Sequence, residues 1–462
     1  MRKKERIATS SAPSIHKLLP EKVEYFFLIL VLLSHLWLFF AHWGDAVGWD
    51  TDVHLQMLSD WPWSAHMWNI ESQFYAYHPP LAFLLARVLL ILGLDPVVSV
   101  QVVSAAASII GFLFLRASLS ALNILRTWRG LFFLIITSSL PLQVYLARSI
   151  NMDVLIYAEA CAALFFSIRV FFCDEITLSR NSVTTPFSLC LVLSLVLGLF
   201  TKYSGLLLLS IPLLVSIVHQ CRCASILPRK NFRGVFHASC LCAIALAIAF
   251  PYYFERYEQK TGQFFPTNQD LDIYDKHMTL EERAVRDRDR ITFLQQFFWG
   301  TSSDAVRMQD RDQKVLRILN TWKDVWSANK YNIEQSPLSL LLSRIYARLS
   351  LLFLGLGSIS FLLQFRRWTS WDQLGVILLL FSLIEILSLL IYSYQYPHPI
   401  GIPNKGMYIA PALLGCGYLM TACIQPVEDM LVRHLFFARL CAYFGLLALA
   451  SFLLLNALIP VY

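Results

Sequence analysis

Eleven apolar stretches of near-membrane length recur along this 462-residue chain, and they leave a helical bundle in lipid as the fold class. They lie at roughly 26–43, 97–121, 131–147, 154–172, 186–200, 205–219, 237–254, 338–363, 373–394, 406–424 and 435–458. A helix rising about 1.5 Å per residue needs about 20 apolar residues to cross the hydrocarbon core. Lipid offers the peptide groups no hydrogen-bond partners, so a spanning segment must satisfy its own, as a helix does. Only 15% of the residues are charged, against about 25% in a soluble domain, which excludes soluble Rossmann, P-loop and barrel enzymes. The expectation is an all-α polytopic membrane protein with about 11 transmembrane helices. The first run, from Phe26, is too long for a cleavable signal peptide and reads as a signal anchor.

Charge then sets the path through the membrane. Six Lys or Arg fall in the first 22 residues (Arg2, Lys3, Lys4, Arg6, Lys17 and Lys22), so the positive-inside rule places the N-terminus in the cytoplasm. Leu81–Gly93 is apolar but short and contains Arg87, which suits an interfacial helix. If it does not cross, Arg126, Arg129, Arg222, Arg229, Lys230, Arg233, Arg366, Arg367 and Arg433 all fall inside. If it does, nearly all fall outside. Residues 44–96, the first outer loop, then hold six carboxylates and one cation. Residues 255–335 hold 27 of the charges, nearly balanced in sign, with Trp299, Trp322 and Trp326, and read as a folded outer subdomain rather than a linker. The expected organisation is an N-terminal catalytic module over 1–254, a non-cytoplasmic subdomain over 255–335 and a C-terminal transmembrane module over 336–462. The excess of cations belongs to loops and lipid headgroups and implies no nucleic acid.

Chemistry-bearing residues gather in the outer segments. Gly48-Trp49-Asp50-Thr51-Asp52-Val53-His54 places two carboxylates and an imidazole at the exit of the first span. Such groups serve as a general base or as metal ligands; the bland alternative is a solvated acidic loop. Tyr75-Ala76-Tyr77-His78-Pro79-Pro80 is a rigid turn presenting His78 before the interfacial helix, or simply a capping turn. Arg148 and Asp153 share a short outer loop that an ordinary ion pair would also explain. Thr201-Lys202-Tyr203 and Asn404-Lys405-Gly406-Met407-Tyr408-Ile409-Ala410-Pro411 each set a lysine at the outer surface, where snorkelling to headgroups is the default role.

In this order the five motifs resemble the GT-C superfamily of polytopic glycosyltransferases, above all the branch of protein O-mannosyltransferases and lipid A aminoarabinose transferases. The resemblance covers residues 20–220 closely and the C-terminal third loosely; residues 255–335 match nothing in it. It implies a GT-C-type bundle with interfacial helices and an outer subdomain. It implies a catalytic base or metal-linked carboxylate at Asp52, with Asp50 as the alternative, and Asp153 in the same site. It also implies donor-phosphate contacts from Lys202 and Lys405, with Tyr408, Arg148, His54 and His78 among the substrate-binding residues. Where aminoarabinose transferases carry an acidic residue and Lys before the Pro-Pro turn, this chain has Tyr77 and His78. Any divalent metal would fall to Asp50, Asp52 and Asp153.

The implied activity is transfer of a sugar from a polyprenyl-phosphate donor to a lipid, glycan or protein acceptor on the non-cytoplasmic face. That face belongs to the inner membrane in a bacterium and to the endoplasmic reticulum in a eukaryote. A transporter or lipid-linked sugar flippase is the rival, with Glu385 inside a span as its motivation; a membrane acyltransferase using His54 or His78 is the third. Arg344 and Arg348 read as lipid anchors or a phosphate clasp. His219, Cys221, Cys223, His237 and Cys240 match no zinc module and read as a reduced inner loop.

Overall fold

The computed structural model describes residues 20–46, 51–60, 79–147, 149–150, 153–173, 186–226, 232–258, 262, 322, 325–326, 337–364, 369–395 and 409–424. Among them are thirteen α-helices and no strand. The first four are α1 (Glu21–Ala41), α2 (Thr51–Asp60), α3 (Leu81–Ile91) and α4 (Pro96–Ala121). Next come α5 (Trp128–Ser139), α6 (Pro141–Leu146), α7 (Asp153–Ile168), α8 (Pro186–Thr201), α9 (Ser210–Ile226) and α10 (Arg233–Tyr253). The last three are α11 (Pro337–Gln364), α12 (Ser370–Gln395) and α13 (Leu413–Ala422). Seven helical stretches are long and apolar enough to cross a membrane: Glu21–Ala41, Pro96–Ala121, Asp153–Phe172, Tyr203–Arg222, Arg233–Tyr253, Arg344–Leu363 and Ser370–Ile391.

Large apolar side chains stand on the outside of these helices, among them Phe26, Trp37 and Phe40 on α1, Phe236 and Phe250 on α10, and Leu352, Leu362 and Leu363 on α11. Water would not tolerate so much apolar surface, and lipid does. Inside, small residues let helices approach, as is usual in membranes. A Cβ at Gly111 of α4 would lie 3.2 Å from the Ala158 backbone of α7.

Local sequence explains the helix starts. The Asp95 side chain accepts from the Val97 N–H (2.8 Å) with Pro96 in the first helical position, and the Thr127 hydroxyl accepts from Gly130 (3.0 Å) at the head of α5. The expected span over 131–147 is a broken helix. Leu140 takes an extended ψ of 137°, and Pro141 opens α6 because it can start a helix but not continue one. Leu140, Leu142 and Leu146 are all buried, so the break is shielded by protein rather than exposed to lipid. The expected span from 205 likewise begins in a tight 3-10 turn, Tyr203–Leu209, before α9.

Cross-helix contacts show that α1 and α4 run antiparallel. Near the α1 C-terminus, the Gly44 N–H donates to Gln101 Oε1 (3.0 Å), and Gln101 Nε2 donates to the His42 and Asp45 carbonyls (3.0 and 2.9 Å). Gly44 holds a φ of 81°, which lets the chain turn there. At the other end, the buried Glu24 accepts from Arg116 (2.6 Å) and Arg126 (3.3 Å), and Arg126 also pairs with Glu21. A crossing by α3 would have made α1 and α4 parallel, so α3 returns the chain without crossing. The α1 N-terminus, Arg116, Arg126 and Arg129 therefore share one end. Arg129 stacks over Trp371 (5.3 Å), and Arg222 reaches Gln373 (3.5 Å), which brings the ends of α9 and α12 to the same side.

Of the 255–335 region, Trp322, Val325 and Trp326 are described and buried. Trp322 Nε1 donates to the Ser350 hydroxyl of α11 (2.9 Å), and Trp326 stacks on Tyr346. The end of this segment is thus keyed to the bundle through aromatic rings with polar handles.

Candidate functional site

The acidic motif enters a helix. Thr51–Asp60 forms α2, which buries Thr51, His54, Met57 and Leu58. His54 lies against the Phe83 ring of α3 (5.5 Å), so its place is a packed one between two short helices. Arg87 of α3 donates to the Leu58 carbonyl (2.6 Å) in the last turn of α2, where a cation complements the helix dipole. The cation expected on the outer surface therefore secures the helix that carries Asp52. Leu58 shares a buried cluster with Ala86, Val100 and Ile150, and Met57 shares another with Val154. Helix α2 is thereby packed against the chain on both sides of the Asp153 loop.

Asp153 is the first residue of α7, where a carboxylate faces the positive end of the helix dipole. It is buried, and its Oδ1 receives the Lys202 ammonium at 2.6 Å. The sequence suggested Arg148 as the ordinary ion partner and read Lys202 as a lone surface lysine. The fold joins Asp153 to Lys202, and Lys202 is only 16% exposed. Lys202 sits in extended backbone between α8 and the 3-10 turn. One residue earlier, the Thr201 hydroxyl donates to Glu159 Oε1 of α7 (2.6 Å). Glu159 is buried and its Oε2 has no hydrogen-bond partner among the described residues. Sequence reading passed over Glu159; the signal was available, since an ionisable side chain within a span is functional until shown otherwise.

Glu385, which showed no partner in the sequence, is buried on α12 within electrostatic reach of both Lys202 and Asp153. The late motif approaches the same end. Gln143 Nε2 donates to the Ala410 carbonyl (3.5 Å), and Ala410 and Leu413 share a buried cluster with Tyr145, Val154 and Met57. The Ser104 hydroxyl ties the Ser149 carbonyl to α4 (2.9 Å). Segments adjoining four of the motifs thus converge at the end opposite Glu24 and Arg126. Asp50, His78, Arg148, Lys405 and Tyr408 lie outside the described residues, as does the Asp52 side chain on α2.

Among the described residues no three His, Cys, Asp or Glu side chains converge to hold a metal ion. Asp153, the one proposed ligand whose side chain is described, is occupied by an ammonium. His219 and His237 pack against Phe172 and Phe171 respectively, in keeping with a structural inner loop.

No family model matches the chain, and no curated protein matches its sequence. Three solved chains do resemble it. ArnT from Cupriavidus metallidurans, solved bound to undecaprenyl phosphate, aligns over 92% of this chain and 64% of its own, with 13% identity and a TM-score of 0.45. This chain therefore spans less than two thirds of that protein's length. The same protein in the apo state gives 88% and 78% coverage, 12% identity and 0.38. The archaeal oligosaccharyltransferase AglB from Archaeoglobus fulgidus, in complex with an inhibitory peptide and a dolichol-phosphate, gives 95% and 55% coverage, 13% identity and 0.44.

Proposed function

We propose that this protein is a GT-C-type membrane glycosyltransferase that takes a sugar from a polyprenyl-phosphate donor on the non-cytoplasmic face. The observation that supports it best is the Lys202–Asp153 pair at the end where the acidic helix α2 and the late motif also arrive. Orientation follows from charge. Arg116, Arg126, Arg129 and Arg222 gather at the end of the α1 N-terminus, which the positive-inside rule makes cytoplasmic. The Asp153 end then faces the opposite compartment, where a lipid-linked sugar can be presented and nucleotide sugars cannot.

In this reading Asp52, or Asp50 in its place, takes the proton from an acceptor hydroxyl as that oxygen attacks the anomeric carbon. The bond to the phosphate oxygen breaks as the new glycosidic bond forms, and the anomeric centre inverts. Lys202, Lys405 and Arg148 neutralise the departing polyprenyl phosphate. Lys202 is suited to this because an ammonium exchanges one carboxylate partner for a phosphate oxygen without losing charge-assisted hydrogen bonding. Asp153 holds it ready until the donor arrives. Mass spectrometry of lipids and glycans from cells lacking the protein tests this proposal. Loss of one glycosylated species, with build-up of its unmodified acceptor and of the lipid-linked sugar, is the expected result. Loss of the same glycan with the lipid-linked sugar trapped on the cytoplasmic face would favour a flippase, for which the broken α5–α6 helix gives structural grounds.

A further inference from the structure

Lys202 stands where α8 stops, and side chains from other helices build that stop. Its backbone is extended, with φ −159° and ψ 157°, between the last residue of α8 and the 3-10 turn Tyr203–Leu209. No proline lies in this stretch to enforce a break. The Leu199 carbonyl, one of those a helix leaves open at its end, receives the Tyr253 hydroxyl of α10. The Gly205 N–H donates to the Lys202 carbonyl (2.8 Å), and the turn folds so closely onto α8 that a Cβ at Gly205 would lie 2.0 Å from the Gly198 carbonyl oxygen. Thr201, the residue before the lysine, is fully buried and reaches across to α7, where its hydroxyl donates to Glu159 Oε1 (2.6 Å).

Helix α7 therefore meets this break twice, with Asp153 on the lysine itself and with Glu159 on the threonine beside it. A buried carboxyl is a costly way to serve a threonine. The Thr201 hydroxyl also lies 3.0 Å from the Leu197 carbonyl of its own helix, so it has an acceptor without Glu159. Glu159 Oε2 has no hydrogen-bond partner among the described residues, and a Cβ at Gly198 would lie 3.5 Å from it and 2.5 Å from Leu208. Glycine at this position leaves room for the carboxyl and the turn to close on α8 together. What Glu159 adds is a tether between helices, beside the residue whose side chain must reach the donor end.

We propose that Glu159 is a positioning residue for Lys202: by holding the Thr201 hydroxyl to α7 it fixes the place where α8 stops, and so the point from which the ammonium reaches the donor end. The proposal rests on the donor reading above, in which that ammonium meets the polyprenyl phosphate. A lysine side chain is long and flexible, so its base must be fixed for its head to be delivered to one place. Released from α7, the end of α8 is free to continue or fray past Thr201, and either change redirects the Lys202 side chain.

The test is equilibrium binding of undecaprenyl phosphate to the purified full chain in nanodiscs, with the melting temperature recorded alongside. Glu159→Leu is expected to weaken binding by roughly tenfold while the protein stays folded. Thr201→Val, which keeps the branched shape and removes the hydroxyl, should weaken it by a similar factor, and the double variant should be no worse than either alone. Glu159→Gln keeps an oxygen to accept the Thr201 hydroxyl and should recover most of the loss. In a Lys202→Ala background, Glu159→Leu should add under about twofold, because the group it positions is gone. Equal effects of Glu159→Leu in both backgrounds, or a Glu159→Gln protein as weak as Glu159→Leu, would overturn the proposal. Wild-type affinity in Thr201→Val overturns it too, and that variant decides the matter if Glu159→Leu fails to fold. No saturable binding by wild type, or binding that Lys202→Ala leaves unchanged, removes the donor reading and this inference together.

Discussion

Two charged clusters bind helices together in this protein, one at each end of the bundle. At the N-terminal end, both oxygens of Glu24 are taken by guanidinium groups from Arg116 and Arg126, and Arg126 turns its remaining capacity to Glu21. Arginine suits such work, since its planar fork holds two carboxylates in fixed geometry. At the other end, Asp153 meets a lysine, and Glu385 Oε1 and Glu159 Oε2 have no hydrogen-bond partner among the described residues. A satisfied network staples a fold. A network that leaves buried carboxyl oxygens unmet holds interaction capacity in reserve, and in a membrane interior that reserve is too unfavourable to keep without use.

The comparison breaks most sharply at the acidic helix. Asp52→Asn should lower transfer by roughly 10²–10⁴ in rate while leaving donor binding and stability close to wild type. Wild-type turnover in purified Asp52→Asn would move the base to Asp50. Next in size is Lys202→Ala, expected to weaken use of a polyprenyl-phosphate sugar by roughly ten- to hundredfold. Lys405→Ala should act similarly, and Arg229→Ala, which the charge tally puts in an inner loop, should leave donor kinetics untouched.

The opposite end should show the reverse pattern. Arg116→Ala leaves the buried Glu24 short of its closest partner, and breaking such a pair costs on the order of 3 kcal/mol. A clear fall in melting temperature with an unchanged donor KM is the expected outcome. A changed donor KM with unchanged stability would erase the distinction between the two clusters. Smallest in energy is the topological test. Cysteines replacing Asp45 and Leu92, both exposed on either side of α3, should react with an impermeant thiol reagent from the same side, and one replacing Ser120 only from the other. Labelling of Asp45→Cys and Leu92→Cys from opposite sides would make α3 a crossing and invert every later loop.

Much of this architecture was legible in the sequence because the physics that produces it is local. Apolar run length reports a crossing, and the tally of Arg and Lys in the loops decided that Leu81–Ile91 returns without one, as the antiparallel α1 and α4 bear out. Breaks were less visible. Pro141 lies within the apolar stretch 131–147, and the structure shows the chain stopping one helix at Ser139 and starting another at Pro141. Pairing was not legible. Asp153 and Lys202 were each singled out by motif, yet nothing in the spacing joins residues 49 apart in the chain. Glu385 looked solitary for the same reason, because Asp153 and Lys202 lie far from it in the chain. Glu24 and Arg116 escaped notice because they lie 92 residues apart in the chain.

The central claim is that Lys202 waits on Asp153 for a lipid-linked phosphate. Equilibrium binding of undecaprenyl phosphate to purified protein in nanodiscs tests it directly, with wild type, Lys202→Ala and Arg116→Ala measured side by side. Saturable wild-type binding, weakened roughly tenfold or more by Lys202→Ala and unaffected by Arg116→Ala, is the expected result. Equal binding by wild type and Lys202→Ala, or no saturable binding by wild type, would contradict it.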